Sequence, residues 1–391
     1  MIHLNFRRLT LILFLCIFPL DAVFYALRSV YGLPLPPVGL PAGIILLLSF
    51  IPQLKAPDKK QIDLALAFAI FLVSGVASAN FSPLFDYSWL GLYFWYIAFL
   101  MLGYGLPSAI SSEEHLTNSA ILISSFSCSV ATILILRHGW LNLSQIYNYL
   151  RTATGLFYTS LLGLVLARNR ITQMSLYIVT LIALFYINAR ASFYLWLMLP
   201  LIAIIVKRGV TARNLLFSFV FIAVALAITP IILERIEHFL PENRVFLLLL
   251  DPQHDNSFME RSMLLQWGWN QIKEHPIVGY YNGFMLYRGQ ADYIHNILSY
   301  WHQFGLVSFS LLLTMLAVAA RNVFAIGRGP IKLYAQLALV TILLELVFAK
   351  SYAYPDVFFV IGFSLGARYI TGPKEAISVN EASRANMAPF I

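Results

Sequence analysis

The stretch "YIHNILSYWHQFG", residues 293–305, sets His295 and Asn296 at the entrance of an apolar segment, with His302 seven residues further along. An imidazole titrates near neutral pH and can take a proton from a hydroxyl, so a histidine at a wet edge is a candidate general base. The plainer reading is a helix cap or a hydrogen-bonded polar group. His302 lies two helical turns deeper on the same face and is expected to pack within the bundle.

Three arginines could supply positive charge to the same chemistry. Arg190, in "YINARASFYLW", sits between two apolar runs with room for only a two- or three-residue hinge. An unpaired charge drawn into apolar surroundings costs roughly 2.5–3.5 kcal/mol or more at depth. Two readings remain open: the side chain snorkels to lipid headgroup phosphates, or it forms an anion site, since guanidinium grips phosphate bidentately. Arg261, in "SFMERSMLLQWGWNQIKEHP", follows Ser257 and Glu260, whose spacing is that of a capping box. That places Arg261 in the first turn of a helix, where a cation opposes the macrodipole and a bound anion would relieve the conflict. The alternative is a solvated residue, or a partner of acidic neighbours such as Glu260. Arg288, in "LYRGQADYIHN", is near His295 in sequence and reads equally as a further cation or as a surface residue.

Other chemistry is not indicated. No GxGxxG, P-loop, HExxH or CxxC occurs in a usable context. The acidic residues between apolar runs show neither paired-carboxylate nor metal-ligand spacing, so neither a metal site nor a cofactor is expected. Cys16 and Cys128 both fall inside apolar runs and read as small apolar fillers.

These residues are embedded in a chain that is 60% hydrophobic and 11% charged, with a mean hydropathy of +0.76. Soluble domains carry roughly a quarter charged residues, whereas here apolar runs of about 17–25 residues recur along almost the whole length. The expectation is an all-α polytopic membrane protein of about 12 transmembrane helices. The runs lie at about 9–30, 36–53, 62–80, 87–106, 119–136, 154–167, 172–188, 192–206, 215–233, 297–320, 333–349 and 356–370. Arg7 and Arg8 ahead of "LTLILFLCIFPL" resemble a signal sequence, but no small-residue cleavage site fits cleanly, so a retained signal anchor is expected.

The net charge of +8 has the sign that nucleic acid attracts, but its placement argues for a membrane instead. With the N-terminus in the cytoplasm, 16 of the 26 basic residues fall on the inner side, among them the loop residues Lys55, Lys59, Lys60, Arg168, Arg170, Lys207, Arg208, Arg321 and Lys332. This is the positive-inside pattern. The loop "SSEEH" at 111–115 carries no Lys or Arg and fits it least well. Residues 1–233 are then spans one to nine, and 234–296 an outer loop carrying the candidate residues. Residues 297–371 are spans ten to twelve, and 372–391 an inner tail. The outer loop contains a helix with a rough apolar stripe of Met263, Leu264, Trp267 and Ile272, closed by Pro276. A shorter stretch, "HGWLNLSQIYNYLR" at 138–151, has the aromatic residues of a membrane interface.

An arginine at a tight outer hinge, a long outer loop with "ERSMLLQWGWNQIKEHPIVGYYNGF", and then "HNILSYWHQFG" opening the next span together resemble the O-antigen ligase and polymerase superfamily. The resemblance covers roughly residues 150–350; the first half of the chain is generic membrane protein. In the family pattern the glycine usually follows the histidine by eleven positions, whereas Gly305 follows His295 by ten.

The resemblance implies a metal-independent, inverting glycosyltransferase in the bacterial inner membrane, with its active site facing the periplasm. The donor would be a glycan on undecaprenyl diphosphate. Arg190 and Arg261 would bind the diphosphate, with Arg288 and Asn296 as further binding residues, and His295 would take the proton from the acceptor hydroxyl. The acceptor would be lipid A core for an O-antigen ligase, or another lipid-linked repeat for a polymerase. Membrane lipids would be partners and nucleic acid would not. A transporter, for instance a flippase of lipid-linked oligosaccharide, is the reading from another class. It should place charges at mid-span in two related halves, and the charges here cluster at span ends.

Overall fold

The computed structural model describes residues 6–15, 59–81, 88–112, 114–137, 149–209, 211, 220, 256–287, 294–327 and 329–371. Among the described residues the chain is entirely helical. The helices are α1 (Phe6–Leu15), α2 (Lys59–Phe81), α3 (Ser88–Ser112), α4 (Glu114–Arg137), α5 (Tyr149–Leu166) and α6 (Arg170–Ile187). They continue with α7 (Arg190–Arg208), α8 (Asn256–Glu274), the single turn α9 (Phe284–Tyr287), α10 (Leu298–Ala325), α11 (Pro330–Phe348) and α12 (Asp356–Thr371).

Among the described residues five helices are long and apolar enough to cross a bilayer: α3, α6, α7, α10 and α11. Shorter apolar stretches run through α2, α4 and α5. A helix satisfies its own backbone hydrogen bonds, which is why apolar segments of this length take that form in lipid. Of the expected spans, 36–53 and all of 215–233 but residue 220 lie outside the described residues, as do the part of 9–30 beyond residue 15, the stretch 138–148 and the tail 372–391.

The tightest helix pair is α3 with α12. A Cβ on Gly362 would lie 2.0 Å from Leu100 O, and one on Gly366 2.0 Å from Tyr104 O, so only glycine lets these backbones meet. This small-xxx-small spacing replaces the missing hydrophobic drive between helices in lipid with close van der Waals contact. Beside that seam an aromatic core joins α2, α3, α10 and α12. Phe71 packs on Tyr96, Tyr300, Phe304 and Phe358, with ring centroids 5.5–6.5 Å apart. The Tyr96 hydroxyl donates to the Tyr352 carbonyl, which answers the polar end of a ring buried in the core.

Helix α10 is broken at Gly305 (φ 78°, ψ 177°). A break inside an apolar helix strands backbone groups that lipid cannot satisfy. Here the segment 276–282 and α2 supply the partners. Leu306 N donates to Pro276 O and Ile277 O at 3.1 Å each, and Tyr280 N donates to His302 O at 2.6 Å. Ser78 Oγ donates to Gln303 O at 2.7 Å, Asn282 N to Gln303 Oε1 at 2.8 Å, and Trp301 Nε1 to Pro276 O at 2.8 Å. The chain after α8 is thus stitched to the broken turn, and α8 is fixed relative to α10.

Helix α8 differs from its sequence expectation in two ways. It begins at Asn256, so Ser257 lies inside it and Arg261 falls in the second turn. The macrodipole acts mainly within the first turn, so its conflict with Arg261 is weaker than the sequence suggests. Its buried face is Leu264, Gly268 and Ile272, spaced by one turn, with Trp267 half-buried beside them. Met263 is 49% exposed and does not belong to that stripe. Gly268 is small because Ile294 presses on it: an added Cβ would lie 2.4 Å from the Ile294 side chain.

Candidate functional site

Helices α6 and α7 are joined by Asn188 and Ala189 alone. Asn188 closes α6 in the left-handed conformation (φ 61°, ψ 28°), one that asparagine tolerates better than most residues, and its N–H donates to Phe185 O at 3.0 Å. Ala189 precedes the first turn of α7, and Arg190 is the first residue of that turn. The sharp reversal holds Arg190, Ala191 and Ser192 on the wall of a small cleft that opens to the surroundings.

The rest of the wall comes from distant parts of the chain. Leu150 and Thr154 stand on α5, Arg261 on α8, and Glu345 on α11, followed by Ala349, Lys350 and Tyr354. The cleft therefore gathers Arg190 and Arg261, separated by about seventy residues in sequence, together with a third cation, Lys350. It also contains the first turn of α7, whose leading amides have no partner within the helix and whose dipole favours negative charge.

His295 is not part of the cleft wall, but it stands close enough to Arg261 to feel its charge. Burial lowers its pKa and the Arg261 guanidinium lowers it further, to about 4, so the imidazole is neutral at neutral pH. The side-chain Oδ1 of its neighbour Asn296 accepts from Leu298 N at 2.9 Å and so caps the start of α10. Ile297 N donates to Leu346 O at 2.6 Å and ties that start to the end of α11, next to Lys350. Arg288 lies outside the described residues.

His302 belongs to the packing. Because Gln303 Oε1 accepts from Asn282 N, its amide nitrogen faces His302 Nδ1, 2.7 Å away. The amide donates, so Nδ1 accepts and the imidazole proton sits on Nε2. The ring meets Trp267 of α8 edge to face, with centroids 5.5 Å apart.

Sequence reasoning did not single out Lys350, Glu345 or Asp356. Lys350 Nζ lies 2.9 Å from Glu345 Oε2 and 2.7 Å from Asp356 Oδ2. Tyr158 OH donates to the same Glu345 oxygen at 3.4 Å. The readable signal was Glu345 itself, the one acid in the apolar run "LALVTILLELVF", since an ionisable group in such a run needs a partner. Among the described residues no group of three His, Cys, Asp or Glu side chains is arranged to hold a metal ion. No protein-family model matches the chain, and no curated protein matches it.

Proposed function

We propose that the chain is a twelve-span glycosyltransferase of the bacterial inner membrane that moves a glycan from undecaprenyl diphosphate to an acceptor hydroxyl on the periplasmic face. As an O-antigen ligase, it would use lipid A core as the acceptor. The observation that carries this reading is the convergence of Arg190, Arg261 and the first turn of α7 on one cleft. Two guanidinium groups and a helix N-terminus suit a diphosphate: the arginines bind it bidentately, and the dipole adds to their field.

The reaction is one displacement. The acceptor oxygen forms a bond to the anomeric carbon from the face opposite the diphosphate, and the bond from that carbon to the diphosphate oxygen breaks. Undecaprenyl diphosphate leaves with the electron pair, its negative charge held by Arg190 and Arg261. The acceptor proton passes to His295, which is neutral and so has a lone pair to receive it. Preorganised donors aimed at a developing charge are worth about 10²–10³-fold each in turnover. The place of Arg190 at the hinge between two apolar helices suits a donor whose lipid tail stays in the bilayer while its glycan reaches water. The charges gather at helix ends rather than at mid-span, which favours transfer over transport.

Purified protein given a defined undecaprenyl-diphosphate glycan, with and without lipid A core, tests the proposal. Glycan on lipid A core is the expected product. Longer lipid-linked chains would reassign the acceptor and make the protein a polymerase, and no product with either acceptor would overturn glycosyl transfer.

A further inference from the structure

Lys350 is the third cation of the cleft, and the displacement described above does not use it. It stands just past α11, where Lys350 N and Ala349 N donate to Glu345 O at 2.6 and 2.8 Å. Its ammonium donates to Asp356 and Glu345, with the rings of Tyr158 and Tyr354 at 5.5 and 5.9 Å. All three charged residues are buried, at 6%, 1% and 4% exposure for Lys350, Glu345 and Asp356.

A buried ion cluster is a poor device for stability, because desolvating the charges offsets most of their attraction, and apolar residues of the same shape do as well. This cluster instead keeps an ammonium charged at a fixed place. Burial works against the charge on Lys350, but Asp356 and then Glu345 outweigh it, and the pKa is raised. An ammonium has three N–H donors, and the two carboxylates take two of them. Neither carboxylate takes the third, and Lys350 is part of the cleft wall.

Building on the diphosphate reading, we infer that Lys350 is a third contact to the bound diphosphate, donating its remaining N–H to a phosphate oxygen. Glu345 and Asp356 are the positioning residues that aim it. Glu345 also lines the cleft, but its Oε2 accepts from both Lys350 and Tyr158, so its charge is directed at the lysine rather than at the ligand.

The test is binding of inorganic pyrophosphate to the full chain in detergent, followed by calorimetry. Lys350→Met alone would strand two buried carboxylates, so the informative variant is the neutral triple Glu345→Gln, Lys350→Met, Asp356→Asn. It changes the formal charge of the cluster from −1 to 0, which by field alone favours an anion slightly. A purely structural cluster therefore leaves pyrophosphate affinity equal or higher, whereas a lost contact lowers it by roughly 10–100-fold. The lower affinity is the expected result. Affinity at or above wild type would remove Lys350 from the site while leaving the arginines in it.

A direct measurement covers the case in which the triple variant does not fold. Wild-type protein carrying ¹⁵Nζ-lysine should show a ¹⁵N–³¹P dipolar contact with bound pyrophosphate that disappears in Lys350→Arg. Absence of that contact while pyrophosphate is bound would overturn the inference. If wild type does not bind pyrophosphate, or if Arg190→Ala binds it equally well, the diphosphate reading fails and the role of Lys350 fails with it.

Discussion

Gly279 and Gly305 stand back to back. A Cβ on Gly279 would lie 2.4 Å from Gly305 N, and one on Gly305 would lie 2.0 Å from Ile277 O. Both residues have positive φ, at 80° and 78°. Gly279 makes room for the Gly305 backbone and Gly305 for the backbone of Ile277 and Val278, and the hydrogen bonds from Leu306 N and Tyr280 N close the seam. Through this seam α8, which carries Arg261, is held against α10, which His295 precedes.

Gly305→Ala should therefore destabilise the fold. The backbone at φ 78°, ψ 177° is essentially reserved for glycine and costs about 1–3 kcal/mol for other residues, before the clash with Ile277 is counted. A thermal unfolding scan in detergent should show a clear drop in midpoint. An unchanged midpoint would mean that α10 does not break there.

Arg190→Ala and Arg261→Ala should each lower transfer by roughly 10²–10³-fold while the protein remains folded in the membrane. Arg190→Lys should recover only part of the loss, because a point charge cannot reproduce a bidentate contact. Turnover with a defined lipid-linked donor checks both, and wild-type turnover in Arg190→Ala would exclude it from the leaving-group site.

His295→Ala should lower turnover by roughly 10²–10⁴-fold with a much smaller change in donor affinity. A loss confined to affinity would make His295 a binding residue.

The ionisation of His295 carries its own expectations. Its pKa in the folded protein, about 4, lies below the ordinary 6.5. The unfolded chain therefore binds the proton more readily, and stability from this group is present above pH 6.5 and lost as pH falls toward 4. The same value places the acid limb of kcat/KM near pH 4 in the free enzyme. Arg261→Gln removes one of the two causes and should move the histidine pKa upward; pyrophosphate bound at Arg261 should act in the same direction. Ring-proton titration by NMR reads the histidine pKa in wild type, in Arg261→Gln and with pyrophosphate bound, and an unmoved pKa in Arg261→Gln would separate the two residues electrostatically.

His302→Ala should behave as a structural variant. It deprives the Gln303 amide of its acceptor and α8 of the contact with Trp267, at about 1–3 kcal/mol for the stranded buried donor. The unfolding midpoint should fall, and transfer per folded molecule should stay within a few-fold of wild type.

Much of this architecture was legible from hydropathy. An apolar run has one way to satisfy its backbone in lipid, so the helices α2 to α7 and α10 to α12 fall where apolar runs stand in the sequence. The short hinge at 188–189 was equally legible, because two apolar runs separated by so few residues must reverse sharply, and that put Arg190 at a helix start. What local pattern could not decide was which distant groups meet. The cleft joins α5, α7, α8 and α11, and its third cation is held by Glu345 and Asp356, on opposite sides of it in sequence. Asn296 caps α10 through its side-chain oxygen, a contact decided by the backbone N–H of Leu298 two residues on. Gly305 sits in an apolar run with no local sign that the helix breaks there, since the break depends on carbonyls brought from Pro276 and Ile277. Periodicity and charge are properties of a segment and can be read along the chain; convergence is a property of packing, and only the tertiary structure supplies it.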